Sequence, residues 1–289
     1  MTRTDQNDSQ DARLSGLAAD VRAHDHDRFL IALMAPADAR DALLALAAFN
    51  LEIAKTREVV SESMLGEIRL QWWRETVAMI YEGRPRRHNV GDALAGAVAR
   101  HDLTRAHLDA MIDGREWDLT DQAPPTLDDL EGYLDRTALP LVRLQLEAVG
   151  VTDGAAHEAA VPLARAYGLT GLLRAVPFHA RQRRVYLPTA VVEEVATRMG
   201  DLFELRPHEG LARAVEHLAG QARFYLADAR ARRRHLPRPA LAVFRQATLA
   251  DTYLGRLARA GHDVFDARVQ IAPPWRQARL ALAALRGRY

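Results

Sequence analysis

Cysteine is missing from all 289 residues, which rules out disulfides and thiolate metal sites and fits a reducing compartment. Lysine is nearly missing: Lys55 is the only one among 39 Lys and Arg, a bias of composition rather than a signal of function. An excess of either charge is missing too. With 39 Lys and Arg against 38 Asp and Glu the formal net charge is +1, so no global field draws nucleic acid or a membrane. The longest plain apolar run, Ala42 to Phe49, falls far short of the roughly 20 residues of a membrane span. The opening MTRTDQNDSQDAR lacks the apolar core of a signal peptide and is too acidic for a mitochondrial presequence. These absences predict a soluble chain, or one peripheral to a membrane, either bacterial or already processed. What is present is a 48% hydrophobic sequence, long enough to bury a large core in one or two domains.

Alternating runs are nearly absent and almost every segment has helical period. After a flexible polar tail (1–23), His24-Asp25-His26-Asp27 caps a short apolar turn from Arg28 to Met34. Pro36 breaks it, and an Ala- and Leu-rich helix is predicted from Ala37 to about Val60. The next runs from Ser63 to Glu82, with Leu65, Ile68, Trp72 and Met79 as its apolar stripe. Gly91–Arg100 and Thr104–Leu119 read as a helical pair, with Thr104 as N-cap. Thr126-Leu127-Asp128-Asp129 has the form of a capping box opening a helix to about Val149, which Pro140 should kink. Further helices are expected at Ala155–Arg174, Thr189–Met199, Glu209–Arg234 and Arg238–Arg259, with one more after Pro273-Pro274. The reading is a single all-α domain over 24–289, without internal repeats.

Three stretches carry candidate chemistry. AFNLEIAKTREVVSE (48–62) brings Asn50, Glu52, Lys55, Arg57 and Glu58 close together in sequence. MLGEIRLQWWRETV (64–77) carries the adjacent Trp72 and Trp73, read as core plus a half-buried edge or as a partner-binding ridge. LTGLLRAVPFHARQRRVYLP (169–188) gathers Arg174, Arg181, Arg183 and Arg184 around His179 and Tyr186. Those arginines suit either an anion cradle or a solvated basic turn. His179 with Glu52 and Glu58 would suit a transition metal, though a hydrogen-bonded histidine at a core rim is the simpler reading. The run Arg230, Arg232, Arg233, Arg234 reads as a helix terminus with favourable dipole placement rather than a nucleic-acid patch.

These stretches, in this order, resemble the squalene and phytoene synthase family. Leu173-Arg174 and Arg184-Val185-Tyr186-Leu187-Pro188 match the frame that ends its active-site helix. The resemblance implies an isoprenoid-synthase-type helical bundle with a central cavity. It also implies two aspartate motifs facing each other, which in the synthases hold magnesium against a prenyl diphosphate. In this sequence the aspartate slots fall on Ala175 and His179 in one motif, and near Ala54-Lys55 and Glu58 in the other. Magnesium takes hard oxygen ligands; alanine offers none, and Lys55 and Arg57 would repel a cation. Pro177, between the two slots, is expected to disturb their one-face spacing.

The departures themselves are similar to the branch of the family that includes an assembly factor of mitochondrial respiratory complex I. That resemblance implies a non-catalytic protein with no catalytic residues and no cofactor, working with complex I subunits or assembly intermediates. Its place would be the inner face of a bacterial inner membrane, or the matrix side in a processed eukaryotic chain. An isoprenoid or anionic lipid is a further ligand it implies, with Asn50, Glu52, Arg57, Arg174, Arg181, Arg184 and Tyr186 as the binding set. The alternative is a head-to-head prenyl transferase that holds Mg2+ through Glu52, Glu58 and distant acids.

Overall fold

The computed structural model describes residues 16–289, and every regular element among them is a helix. The all-α expectation holds, because good helix formers at helical period leave no strand to pair. The chain divides into two compact units. One takes the residues up to Leu119 with Pro140–Asp153 and Pro237–Val243; the other takes Thr120–Leu139, Gly154–Leu236 and Phe244–Tyr289.

The first unit opens with helix α1 over residues 16–24 and then α2 (His26–Leu33). The stretch read as a flexible tail to residue 23 is therefore helical from 16 onward, with Leu17 and Val21 buried one turn apart. Its first 15 residues lie outside the described ones. Asp25 caps α2 as expected, accepting from the Arg28 backbone N at 3.0 Å. After Pro36 a single 3₁₀ turn leads into α3 (Arg40–Ala54), where ten of the 15 residues are buried. A helix apolar on all sides belongs in a core, and its alanines let α2 and α5 (Asn89–His101) pack closely against it. It stops at Ala54 rather than Val60: Lys55 is its C-cap, and Thr56–Glu58 form a separate 3₁₀ turn.

Helix α4 (Ser63–Tyr81) packs against α5 and α6 (Arg105–Gly114). The stripe expected to be its apolar face is not the buried one. Leu70, Trp73, Val77 and Ile80 turn inward, whereas Leu65 and Ile68 are 45% and 60% exposed. Trp73 meets Phe49 edge-on at 5.3 Å and Trp72 at 4.9 Å, so it is the core residue and Trp72 the half-buried edge. Thr104 stands at the N-cap of α6, but its hydroxyl makes no cap bond; its backbone N instead donates to the Glu147 carboxylate at 2.9 Å.

Tyr81 closes α4 by donating to the Leu103 carbonyl. Burial first, and then the Glu147 carboxylate, push its phenol up to about 12 from an ordinary 10.0. The folded state holds this proton more tightly than the unfolded chain does. That stabilisation is complete below the ordinary phenol pKa and is lost as pH rises through the folded value. Alkaline unfolding followed by circular dichroism is expected to deepen between those two values and to fall less steeply in Tyr81→Phe. An unchanged slope would remove Tyr81 as the cause.

In the second unit the predicted capping box opens α7 (Leu127–Ala148). The Asp129 carboxylate accepts from the Thr126 N at 3.0 Å, and the Thr126 hydroxyl accepts from the Asp129 N at 3.2 Å. The division between units falls at Pro140, inside this helix. Helix α8 (Gly154–Arg181) packs on α11 (Glu209–Ala231) and α13 (Gln246–Arg259). Gly168 marks a close crossing: a Cβ there would lie 2.7 Å from Leu134 Cδ2 and 3.3 Å from Ala138 Cβ.

Arg165 of α8 grips two carboxylates one turn apart on α7. It meets Asp135 through two bonds, at 2.9 and 2.6 Å, and Glu131 at 2.8 Å; Glu131 in turn accepts from the Tyr225 hydroxyl of α11. The helix expected over Thr189–Met199 ends early, as α9 (Thr189–Glu194), and α10 (Met199–Phe203) follows it; the one expected over Arg238–Arg259 is split into α12 (Ala240–Phe244) and α13. Ala196, at φ 51°, ends the first of these early. Helices α14 (Ala267–Gln270) and α15 (Arg276–Leu285) complete the chain, α15 packing on α13.

Candidate functional site

In the first unit the motif occupies the end of α3. Asn50 is buried, its side-chain oxygen facing Arg115 Nη2 at 3.5 Å. Glu52 is a strongly engaged carboxylate. It pairs with Lys55 one turn ahead and accepts from Arg69 of α4 at 2.5 Å, with 15% of its side chain exposed. Two cations thus surround one anion, and the cluster carries a net positive charge. Arg57 donates to the Val60 carbonyl at 3.4 Å, closing its own turn, and Glu58 lies exposed in the 3₁₀ turn.

In the second unit α8 runs unbroken through Pro177 to Arg181. Proline removes only one hydrogen-bond donor, and the well-buried helix tolerates that loss. Ala175 and His179 therefore do stand one turn apart on one face, contrary to the disturbance expected of Pro177. The helix ends in a Schellman turn: the Arg184 N donates to the His179 carbonyl and the Arg183 N to the Ala180 carbonyl, both at 2.9 Å. Arg183 holds the left-handed position at φ 55°, where glycine is usual.

The turn that follows is pinned. Thr189 N and Ala190 N donate to the carbonyls of Pro124 and Pro125 at 2.9 and 3.0 Å. The Tyr186 ring lies 4.6 Å from His179 and 5.7 Å from Tyr133, and its hydroxyl accepts from Arg184. Arg184 is 8% exposed and faces Asp121 at 3.6 Å. Arg174 stacks on the Tyr253 ring, 3.5 Å from its centroid. Arg183 faces the Phe203 ring at 5.7 Å, and Arg181 is exposed. The four arginines thus have four different environments.

Several partners were not visible in the sequence. Arg69, Asp121 and Tyr253 reach their partners across 17, 63 and 79 residues, separations that no local pattern encodes. Glu131 and Asp135 left a signal, two acids spaced i,i+4 on a helix, but Arg165, which completes the cluster, lies on a different helix. Among the described residues no three His, Asp or Glu side chains gather into a metal-holding group. None of the described helices is long and apolar enough to cross a membrane.

Comparison with known proteins gives this geometry a context. Residues 21–275 match the squalene/phytoene synthase family profile. The chain is 34% identical over 250 residues to "NADH dehydrogenase (ubiquinone) complex I, assembly factor 6" of Bos taurus, a match covering 86% of this chain and 75% of the relative. The Homo sapiens protein of the same name is 32% identical with the same coverage. Among solved structures, a dehydrosqualene synthase bound to a ligand superposes with a TM-score of 0.82, covering 96% of this chain and 97% of that one at 17% identity. The match in sequence and the match in fold agree: the chain belongs to the squalene/phytoene synthase family.

Proposed function

We propose that this protein is a non-catalytic member of its family that serves the assembly of respiratory complex I, acting with subunits or assembly intermediates at the inner face of the membrane. The observation that carries the reading is the state of Glu52. The best-placed carboxylate of the first motif is held by Lys55 and Arg69, so it has little charge to offer a divalent ion. In the second motif Ala175 has no oxygen, and the ring nitrogens of His179 suit transition metals better than magnesium. The donor set does not fit magnesium, and the loss is large in rate terms: Lewis-acid stabilisation contributes several kcal/mol, with about 1.36 kcal/mol for each tenfold. The names of the bovine and human relatives support the assembly role.

The test is a deletion in the host, complemented with this chain. Assembled, active complex I is expected to fall and to return on complementation, while polyprenoid content stays constant. In parallel, the purified chain is expected to show no turnover of farnesyl or geranylgeranyl diphosphate with Mg2+. Loss of polyprenoids with complex I intact, or metal-dependent turnover, would overturn the reading in favour of a prenyl transferase.

A further inference from the structure

Residues 271–289 hold four arginines and no Asp or Glu. Within them α15 buries Leu280 and Ala283 and leaves Leu282 and Leu285 outward, 45% and 86% exposed. Trp275, at its N-cap, is 74% exposed, and Ile271 before it 64%. A tryptophan and leucines turned outward on a helix whose only charges are arginines match the boundary between headgroups and acyl chains.

Beside this apolar rim lies a cleft of about 220 Å³, lined by Arg230, Thr248, Asp251, Arg279, Arg286 and Arg288 among others. Arg230 is committed to Asp251 and to the Tyr289 main-chain oxygen at 3.3 Å. Arg279, Arg286 and Arg288 have no carboxylate partner among the described residues. Thr248 is 8% exposed, and its hydroxyl, buried in the wall of the same cleft, has no hydrogen-bond partner. Three unpaired guanidiniums and an unsatisfied hydroxyl make a donor set suited to phosphoryl oxygens.

We propose that this cleft and its rim dock the chain on an anionic phospholipid bilayer. A headgroup phosphate sits among Arg279, Arg286, Arg288 and the Thr248 hydroxyl, and Trp275, Leu282 and Leu285 enter the interface. Charge decides for a bilayer over an apolar protein surface, which would desolvate the guanidiniums without pairing them. The side-chain carboxylate in the cleft, that of Asp251, is already paired with Arg230. The inference does not depend on the assembly reading, since it holds whether or not the chain is catalytic.

The purified chain is sedimented with vesicles of phosphatidylcholine alone and of phosphatidylcholine with phosphatidylglycerol. Partition is expected onto the anionic vesicles only, weakening as salt rises. Arg286→Glu with Arg288→Glu should reduce that partition by roughly tenfold or more, given the attraction of each basic residue to such a surface. Leu285→Gln, at a fully outward position, should reduce it without changing the circular dichroism. Trp275→Phe should abolish the blue shift of tryptophan emission that the anionic vesicles produce. Equal partition onto neutral vesicles, an unaffected double variant, or capture of inorganic phosphate without vesicle binding would each overturn the proposal.

Discussion

Replacing Trp73 with alanine is expected to lower the unfolding free energy by about 3–5 kcal/mol, the range for removing a large buried aromatic. Trp73 is 1% exposed and among the largest fully buried side chains. It contacts Phe49 of α3 and, at 5.2 Å, the His88 ring that leads into α5. Truncation therefore removes one side chain at which three helices of the first unit meet, and the gap is too large to close by relaxation. Losses of this size are a large part of the stability of an ordinary domain. Urea unfolding of the purified variant measures the effect, with Trp72→Ala as the comparison. The latter should cost markedly less, because Trp72 is only half-buried. Equal costs would mean that the inward face of α4 has been misassigned.

Replacing Arg165 with methionine is expected to cost about 2–3 kcal/mol, below the 3–5 kcal/mol typical of fully buried pairs because the site is partly wet. The side chain of Arg165 is 24% exposed, and those of Glu131 and Asp135 are 14% and 31% exposed. Removing the guanidinium leaves two carboxylates one turn apart on α7 with no counter-charge, and they repel. The hydrogen bonds that Arg165 donates to Asp135, with the charges of Asp135 and Glu131 beside them, hold the Arg165 proton well above the ordinary arginine range. Arg165→Lys restores the charge without the fork and should recover only part of the loss. A cost under about 1 kcal/mol for Arg165→Met would place the cluster with ordinary surface pairs.

The sequence made the local features legible. The Thr126–Asp129 box and the Asp25 cap each need only four consecutive residues, and both form as expected. The all-α architecture followed from period alone. What could not be read locally was the choice between equivalent patterns. On α4 two apolar stripes share the same period, and the arrival of Phe49 from α3 decides for Trp73 over Trp72. At Pro177 the rule that proline breaks helices gave the wrong expectation, because tertiary burial of α8 outweighs one missing donor. At the candidate site the basic residues were legible as residues but not as pairs. Arg184 lies buried beside Asp121 and Tyr186, neighbours that the basic run does not reveal. Glu52 reads in the sequence as an available carboxylate, and Arg69 reaches it from another helix.

The Glu52 cluster has a practical consequence through its other partner. Lys55 carries the only side-chain amine in the protein, and it sits at the C-cap of α3 with 40% of that side chain open to solvent. Acylating reagents and amine cross-linkers thus have a single side-chain address. Modification there would leave Glu52 with Arg69 as its one counter-ion among the described residues, so one adduct would both map the end of α3 and report on how firmly its carboxylate is held.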